Sequence, residues 1–141
     1  MLKMWHGNAI LFIPDISKYL NLEATGNLTT YKGEVLGYYV LRASNTNNYP
    51  AWENSNGYYL FRRWSQWVVG PYLGSNISLV LINHDASSNS PFNLTGNWQY
   101  YDYRTETLGY HNVENFKISS YDVSGMWKVR YCFVNLHHFC W

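Results

Sequence analysis

The stretch that decides the fold is NGYYLFRRWSQWVVGPYLGS, which spans residues 56–75. Tyrosine, tryptophan, phenylalanine and valine suit the half-buried, pleated surface of a β-strand. Residues 58–61 and 67–69 are therefore predicted to pair as a β-hairpin, with residues 62–66 forming the turn between them. A hairpin of this kind indicates a fold class but does not indicate a reaction.

The rest of the chain continues the alternation of short strands and turns. Asn56-Gly57 and Gly70-Pro71 flank the hairpin, and such dipeptides end strands because they need a positive or a fixed φ. Aromatic or branched runs between turn residues predict further strands at residues 37–42, 49–54, 77–83, 96–102 and 116–123. No segment has a convincing helical period. The prediction is an all-β fold: a small antiparallel meander of about five to seven strands, curled into a barrel-like or packed sheet, with irregular N- and C-terminal extensions.

Composition excludes two classes of partner. The chain has 141 residues, enough for one domain, and only 13% of them are charged while 19% are aromatic. Ten Lys and Arg residues and a formal net charge of +1 provide no electrostatic footprint for nucleic acid. No apolar run approaches the roughly 18 residues that a membrane-spanning helix needs. We therefore expect neither a nucleic-acid partner nor a membrane span.

Three glycosylation sequons predict an extracellular, secreted protein. They begin at Asn27, Asn76 and Asn93, and each lies beside a glycine or a turn, where a surface glycan is tolerated. Residues 1–14 argue against this prediction, because their apolar part, residues 9–13, is too short for a signal peptide. Either the true N-terminus lies upstream, or the protein is intracellular and the sequons are unused.

The C-terminal residues carry the only two cysteines. Cys132 and Cys140 are compatible with one disulfide in an oxidising compartment. With His137 and His138 between them they also form a Cys2His2 set that zinc would accept. The spacing is not that of a usual zinc knuckle, so the disulfide is the preferred interpretation and free thiols are the remaining alternative.

Two further groups of residues around residue 84 could suggest a calcium site or a hydrolase triad, but each has a simpler structural explanation. Asn83, Asp85, Ser87 and Asn89 place oxygens at alternate positions, as a calcium loop does, but with a single carboxylate they indicate a polar loop held by Asx-type hydrogen bonds. His84 and Asp85 could belong to a hydrolase triad, yet the chain has no Gly-x-Ser-x-Gly elbow. We predict no catalytic residue, no metal and no cofactor.

The aromatic residues are the most informative set. In a regular strand neighbouring side chains point to opposite faces, so one ring of each Tyr-Tyr pair should point outward. The pairs are Tyr38-Tyr39, Tyr58-Tyr59 and Tyr100-Tyr101. An exposed aromatic face in a chain with so few charges suggests an interaction surface.

The hairpin turn supplies the predicted ligand-binding residues. Trp64 lies at its tip beside Arg62 and Arg63, and Arg and Trp dominate binding hot spots. Trp52 and Tyr72 complete the predicted ligand-binding set.

Several aromatic and turn motifs together carry a resemblance. They are Gly37-Tyr38-Tyr39, Tyr49-Pro50-Ala51-Trp52, Asn56-Gly57-Tyr58-Tyr59-Leu60, Trp67-Val68-Val69-Gly70, Ser90-Pro91 and Trp98. With this pattern residues 22–102 resemble a Tyr/Trp-rich module that recurs, often in tandem, in predicted proteins of invertebrates and protists. The resemblance implies a β module and no catalytic residue.

The resemblance also divides the chain. Residues 1–21 become an N-terminal extension, residues 22–102 the module, and residues 103–141 a linker followed by the start of a second repeat or by an irregular tail. A repeat is suggested because residues 22–26 match residues 121–125 class for class, in the order large apolar, acid, small apolar, hydroxyl and glycine.

Three functions follow from these observations. The first is a non-catalytic extracellular module that binds a protein or a glycan through exposed aromatics, as one unit of a larger or repetitive protein. The second is a structural repeat whose aromatic faces pack against neighbouring copies. The third, which we rank last, is a small hydrolase that uses His84 and Asp85.

Overall fold

Nine antiparallel β-strands form a single sheet in the structure, a computed structural model that describes residues 17–42, 48–85, 89–92, 94 and 97–120. In chain order the strands are β1 (Tyr19–Thr25), β2 (Gly37–Leu41), β3 (Trp52–Asn54), β4 (Tyr59–Arg63), β5 (Gln66–Gly70), β6 (Leu81–Asn83), β7 (Trp98–Asp102), β8 (Gly109–Asn112) and β9 (Glu114–Ser120). One helix, α1 (Asn27–Lys32), follows β1 and continues into a 3₁₀ turn at Gly33–Val35, and a second 3₁₀ turn, Thr105–Thr107, precedes β8. The predicted all-β class is confirmed.

The two edges of the sheet are joined by one bent segment. The strand order is β8-β7-β6-β5-β4-β3-β2-β1-β9, so β8 and β9 lie at opposite edges although only Val113 separates them in the chain. At this seam the Val113 backbone N–H donates to the Trp98 carbonyl over 2.8 Å, and the rings of Trp98 and Phe116 lie 5.0 Å apart. The sheet is therefore nearly closed into a barrel, as the sequence predicts.

The sheet is wider than the module predicted from the sequence. It begins with β1 at Tyr19 and ends with β9 at Ser120, whereas the predicted module covers residues 22–102. Residues 109–120 provide the seam, because β9 pairs with β1 from Leu20 opposite Ser120 to Thr25 opposite Glu114. The sequence predicted a strand at residues 116–123 here, within a segment taken as a linker followed by a second repeat or an irregular tail. The second copy of the suggested repeat lies outside the described residues.

The interior of the barrel is filled from alternate positions of the strands. Register places Tyr39 opposite Asn54, Trp52 opposite Leu60, and Trp67 opposite Asn83, all facing inward. Trp52 also donates its indole N–H to the Ser17 carbonyl over 2.9 Å. The buried cluster comprises Leu20, Leu22, Leu28, Val35, Tyr39, Trp52, Leu60, Trp67, Val69, Val80, Leu81, Trp98, Tyr100 and Val113. Because Leu28 and Val35 come from α1 and the turn after it, these elements close one end of the barrel, which we call the helix end.

A second, smaller cluster lies on the outside of the sheet. Phe61 of β4 and Val68 of β5 are fully buried there with Ala51, under Leu73 and Leu79 of the loop between β5 and β6. This loop, residues 71–80, corrects the predicted strand at residues 77–83, of which only Leu81–Asn83 is β6. The predicted strand is interrupted at Ser78, whose φ of +59° is not that of an extended backbone. The next residue, Leu79, packs over Gly70.

Candidate functional site

The exposed large apolar side chains mark the candidate binding surfaces. In the described part of the chain they are Tyr38, Val40, Trp64, Tyr72, Ile77, Tyr103, Leu108 and Tyr110. The prediction that one ring of each Tyr-Tyr pair points outward is confirmed at β2, where Tyr38 is exposed and Tyr39 is buried. It is wrong for Tyr58 and Tyr59, which are both half-buried, because the outer face of β4 is covered by the loop that follows β5.

The tip of the β4–β5 hairpin presents the most exposed of the tryptophans in the described ranges. The turn contains only Trp64 and Ser65, since Arg63 pairs with Gln66, and is thus shorter than the predicted five-residue turn at 62–66. Trp64 is 72% exposed and has a φ of +57°. A positive φ at the first of two turn positions is the sign pattern of a type II′ turn, where glycine is preferred. A tryptophan there carries backbone strain of about 1–2 kcal/mol.

Arg63 holds the indole of Trp64 in place. Its guanidinium carbon lies over the indole ring, 3.5 Å from the centroid, which is a close cation–π contact. The arginine covers one face of the ring and the other face remains open to a partner. We call Arg63 and Trp64 together the hairpin tip.

The other predicted ligand-binding residues do not join the hairpin tip. Arg62 is buried at 6% exposure, because strand alternation turns it inward, and it stacks over the Tyr49 ring at 4.7 Å. Trp52 is 1% exposed and its ring lies 6.2 Å from that of Trp67, so it belongs to the core. Neither side chain therefore shares an exposed surface with Trp64.

Tyr72 is exposed, as a ligand-binding residue must be, but it lies far from Trp64. The five residues of β5 separate the two side chains, a rise of about 17 Å along the strand. The structure therefore brings together only Arg63 and Trp64 of the predicted set.

The predicted modification sites are partly described. Asn27, at the start of α1, and Asn76, in the loop after β5, are both exposed. Asn93, Cys132 and Cys140 lie outside the described residues.

The residues proposed for hydrolysis have local partners. His84 is exposed, with Nδ1 2.7 Å from Nε2 of Gln66. The Asp85 backbone N–H donates to Oδ1 of Asn83 over 2.8 Å, which is the Asx-type hydrogen bond expected of a polar loop. Within the described ranges no group of three His, Cys, Asp or Glu side chains could hold a metal ion. The described helices include none that is long and apolar enough to cross a membrane.

A groove on the outer face of β2 and β3 is a second candidate surface. It encloses about 820 Å³ and exposes Tyr38 and Val40. Beside them Arg42 and Glu53 form an ion pair with a separation of 2.5 Å between Nη1 and Oε1. We call this surface the β2–β3 groove.

A third concave surface, which sequence reasoning missed, lies at the helix end. Four tyrosines line it, Tyr31, Tyr58, Tyr101 and Tyr103, and its volume is about 350 Å³. Tyr31 comes from α1, Tyr58 precedes β4, and Tyr101 and Tyr103 flank the end of β7. We call it the tyrosine cleft.

Contacts between backbone and rings hold the tyrosine cleft in shape. The Tyr103 backbone N–H donates to the Tyr31 hydroxyl over 3.0 Å. The Tyr58 hydroxyl donates to Oε2 of Glu34 over 3.3 Å. The rings of Tyr101 and Tyr103 have centroids 4.6 Å apart. The walls of the cleft are thus fixed without any ligand.

Asp102 anchors the rim of the tyrosine cleft. This buried carboxylate accepts hydrogen bonds from Nε and Nη2 of Arg104 at 2.9 and 2.6 Å, from the Arg104 backbone N–H at 2.9 Å, and from the Thr107 hydroxyl at 2.6 Å. These bonds, led by those of the Arg104 side chain and opposed by burial, hold the pKa of Asp102 well below its usual range. The Arg104 guanidinium in turn stacks over the Tyr31 ring at 4.2 Å.

Comparisons with known proteins leave these surfaces as the basis for any functional argument. No family model matches the chain, and no curated protein and no solved structure is significantly similar to it.

Proposed function

We propose that this protein is a non-catalytic extracellular module that binds a protein or a glycan partner through the hairpin tip. The observation that carries the proposal is the exposed Trp64, held in a strained backbone conformation with Arg63 stacked on one face. Strained residues concentrate at sites whose function needs them. The module acts as one unit of a larger or repetitive protein, in keeping with the resemblance of residues 22–102 to a tandem module.

Stability alone does not explain a tryptophan at this position. Glycine would satisfy the turn without strain, and the exposed indole contributes little burial to the fold. A partner that covered the ring would remove about 150–250 Å² of aromatic surface from water, which is a large gain for one side chain. Tryptophan and arginine are also the residues most enriched among binding hot spots.

The exposure of two glycosylation sequons supports an extracellular location. Asn27 and Asn76 both have exposed side chains, so a glycan on either sequon would extend into solvent without displacing the core. Both lie toward the helix end, away from Trp64, because β5 carries the chain from the tip to the loop that contains Asn76. A glycan at Asn76 would thus leave the hairpin tip accessible.

Replacing Trp64 by glycine tests the hairpin tip. We expect Trp64→Gly to weaken binding to an immobilised glycan panel or to intact cells by about 30-fold, the loss typical of a hot-spot residue. Its melting temperature should be unchanged or higher, because glycine relieves the positive φ. Binding is measured by surface plasmon resonance or cell-surface fluorescence, and stability by thermal unfolding.

Tyr72→Ala is the matched control, since Tyr72 is also exposed but lies at the other end of β5. Its binding should equal that of the unaltered protein. Equal binding by the Trp64→Gly variant, or a protein that binds neither the glycans nor cells, would contradict the proposal.

The second candidate function is association with neighbouring copies through the β2–β3 groove. Arg42 and Glu53 lie side by side there with Tyr38 and Val40, so a two-fold arrangement would place each arginine near the glutamate of the other copy. This function predicts concentration-dependent sedimentation that Tyr38→Lys abolishes and Trp64→Gly leaves intact. A single monomeric species at all concentrations up to the millimolar range would rule it out.

A further inference from the structure

We propose that the tyrosine cleft is a second binding site and that its ligand is a neutral saccharide. The cleft has a volume of about 350 Å³, at the lower end of the range of about 300–1,000 Å³ that small-molecule sites occupy. It lies at the helix end, while Trp64 lies beyond the other end of β4. The inference is therefore independent of the hairpin tip.

The lining of the cleft matches the chemistry of a sugar ring. A pyranose has flat C–H faces that are apolar and a rim of hydroxyl groups that donate and accept hydrogen bonds. A tyrosine has the same combination, an apolar ring face with a polar hydroxyl at its end. Tyr58, Tyr101 and Tyr103 therefore offer stacking surfaces, and Ser78 adds a hydroxyl on the facing loop.

The charges around the cleft favour a neutral ligand. Lys32 is the one charged residue of the lining, and its Nζ lies 3.9 Å from Oε2 of Glu34. Arg104, on the rim, is held by two side-chain hydrogen bonds to Asp102. Because both cations lie beside carboxylates that offset their charge, the cleft presents little net positive charge to a phosphate, a sulfate or a sialic acid.

The backbone at the cleft is strained as well as fixed. Ser78 has a φ of +59°, a conformation that residues with a side chain rarely adopt, and it faces the tyrosines. The chain is held directly after it, because Leu79 packs over Gly70 and the Val80 N–H donates to the Val69 carbonyl over 2.8 Å. Such strain is typical of ligand clamps, and a wall fixed in advance lowers the entropic cost of binding.

Titration with neutral oligosaccharides, followed by two-dimensional NMR of the full chain, tests this proposal. The probes are the trisaccharides of glucose, N-acetylglucosamine and mannose, with a sialylated trisaccharide as the anionic comparison. We expect at least one neutral trisaccharide to shift the signals of Tyr31, Tyr58, Tyr101 and Tyr103, and the sialylated probe to bind more weakly.

Tyr103 is the residue to replace, because its exposed ring lines the cleft while the anchoring hydrogen bond to Tyr31 uses its backbone N–H. Tyr103→Ala should lower the affinity about tenfold, and Tyr103→Phe, which keeps the ring, should stay within about threefold. His84→Ala removes an exposed ring beside Gln66, at the opposite end of the sheet, and should bind as the unaltered protein does.

Each contrary result overturns the proposal. Absence of shifts at millimolar concentration of every neutral probe, tighter binding of the sialylated probe, or unchanged affinity in Tyr103→Ala would each do so. Trp64→Gly separates this site from the hairpin tip. Retained saccharide binding in that variant leaves the cleft as the site, whereas lost binding there, with Tyr103→Ala unaffected, assigns the saccharide to the hairpin tip.

Discussion

Replacing Trp52 by alanine is expected to lower the free energy of unfolding by about 3–5 kcal/mol. Trp52 is among the largest fully buried side chains, its ring contacts that of Trp67, and its indole N–H bonds to the Ser17 carbonyl. Truncation would remove the burial of the indole, leave a cavity in the barrel, and leave a backbone carbonyl without its partner. The loss would be a large fraction of the stability of a small domain.

Chemical denaturation, followed by tryptophan fluorescence, measures this effect. Trp64→Ala provides the matched control, because it deletes the same side chain from an exposed position and should change stability by less than about 1 kcal/mol. A Trp52→Ala variant as stable as the control would mean that the ring does not belong to the core. The pair of variants thus separates the two tryptophans that the sequence could not tell apart.

Replacing Asp102 by asparagine is expected to produce a second large loss of stability, which is greatest at pH values above the unfolded pKa of the aspartate and diminishes in acid. Its carboxylate accepts four hydrogen bonds from Arg104 and Thr107, and an asparagine side chain would turn one acceptor into a donor. Because these bonds depress the pKa of Asp102 in the folded protein, its contribution is fully present above the unfolded pKa of about 3.9. The contribution is lost as the pH falls through the lower pKa of the folded state.

Urea unfolding of the unaltered protein and of Asp102→Asn, at pH 7 and at about pH 2, checks this prediction. The variant should be clearly less stable at pH 7, and the gap should narrow at the acidic value. Glu106→Gln, which removes an exposed carboxylate from the same turn, should show little difference at either pH. A gap of constant size would contradict the depressed pKa.

The sequence was sufficient to predict the class of fold and the central hairpin. Its signal was strong because both faces of β4 and β5 are buried, the inner face in the barrel and the outer face under Leu73 and Leu79. The same two-sided burial obscured which side chains were accessible. Trp52 was predicted to bind a ligand because strand periodicity defines two faces but does not say which one lines the interior. Arg62 was predicted to do so because the turn was placed at residues 62–66, whereas Arg62 belongs to β4.

Other elements carried too little local signal to be predicted. Helix α1 has six residues, fewer than two turns, so no helical period could develop within it. Strand β8 is polar apart from Tyr110 and gains its place from pairing with β7 rather than from propensity. The predicted seven-residue strand that ends at Asn83 is shortened by the tertiary packing of Leu79, which local sequence does not reveal.

The candidate sites differ in how far they could be predicted. The hairpin tip is a local feature, and the sequence located Trp64 and Arg63 correctly beside a turn. The tyrosine cleft draws on residues 31, 58, 78, 101 and 103, which only the order of strands in the sheet brings together. Tyr103 was placed in a linker because nothing in its neighbourhood indicates that β8 follows.

The seam formed by β8 and β9 has a consequence for how the protein reaches its native state. Strand β1 is synthesised before β9, yet one of its two edges pairs with β9, and residues 20 and 120 lie opposite each other. Contacts of such long sequence separation slow folding, because the loop between them must be closed first. Until β9 emerges, β1 has an unpaired edge that can pair with another chain. Chaperone binding and aggregation during synthesis should therefore centre on β1. A ribosome-bound chain that ends before Glu114 should still bind the chaperone and should still aggregate.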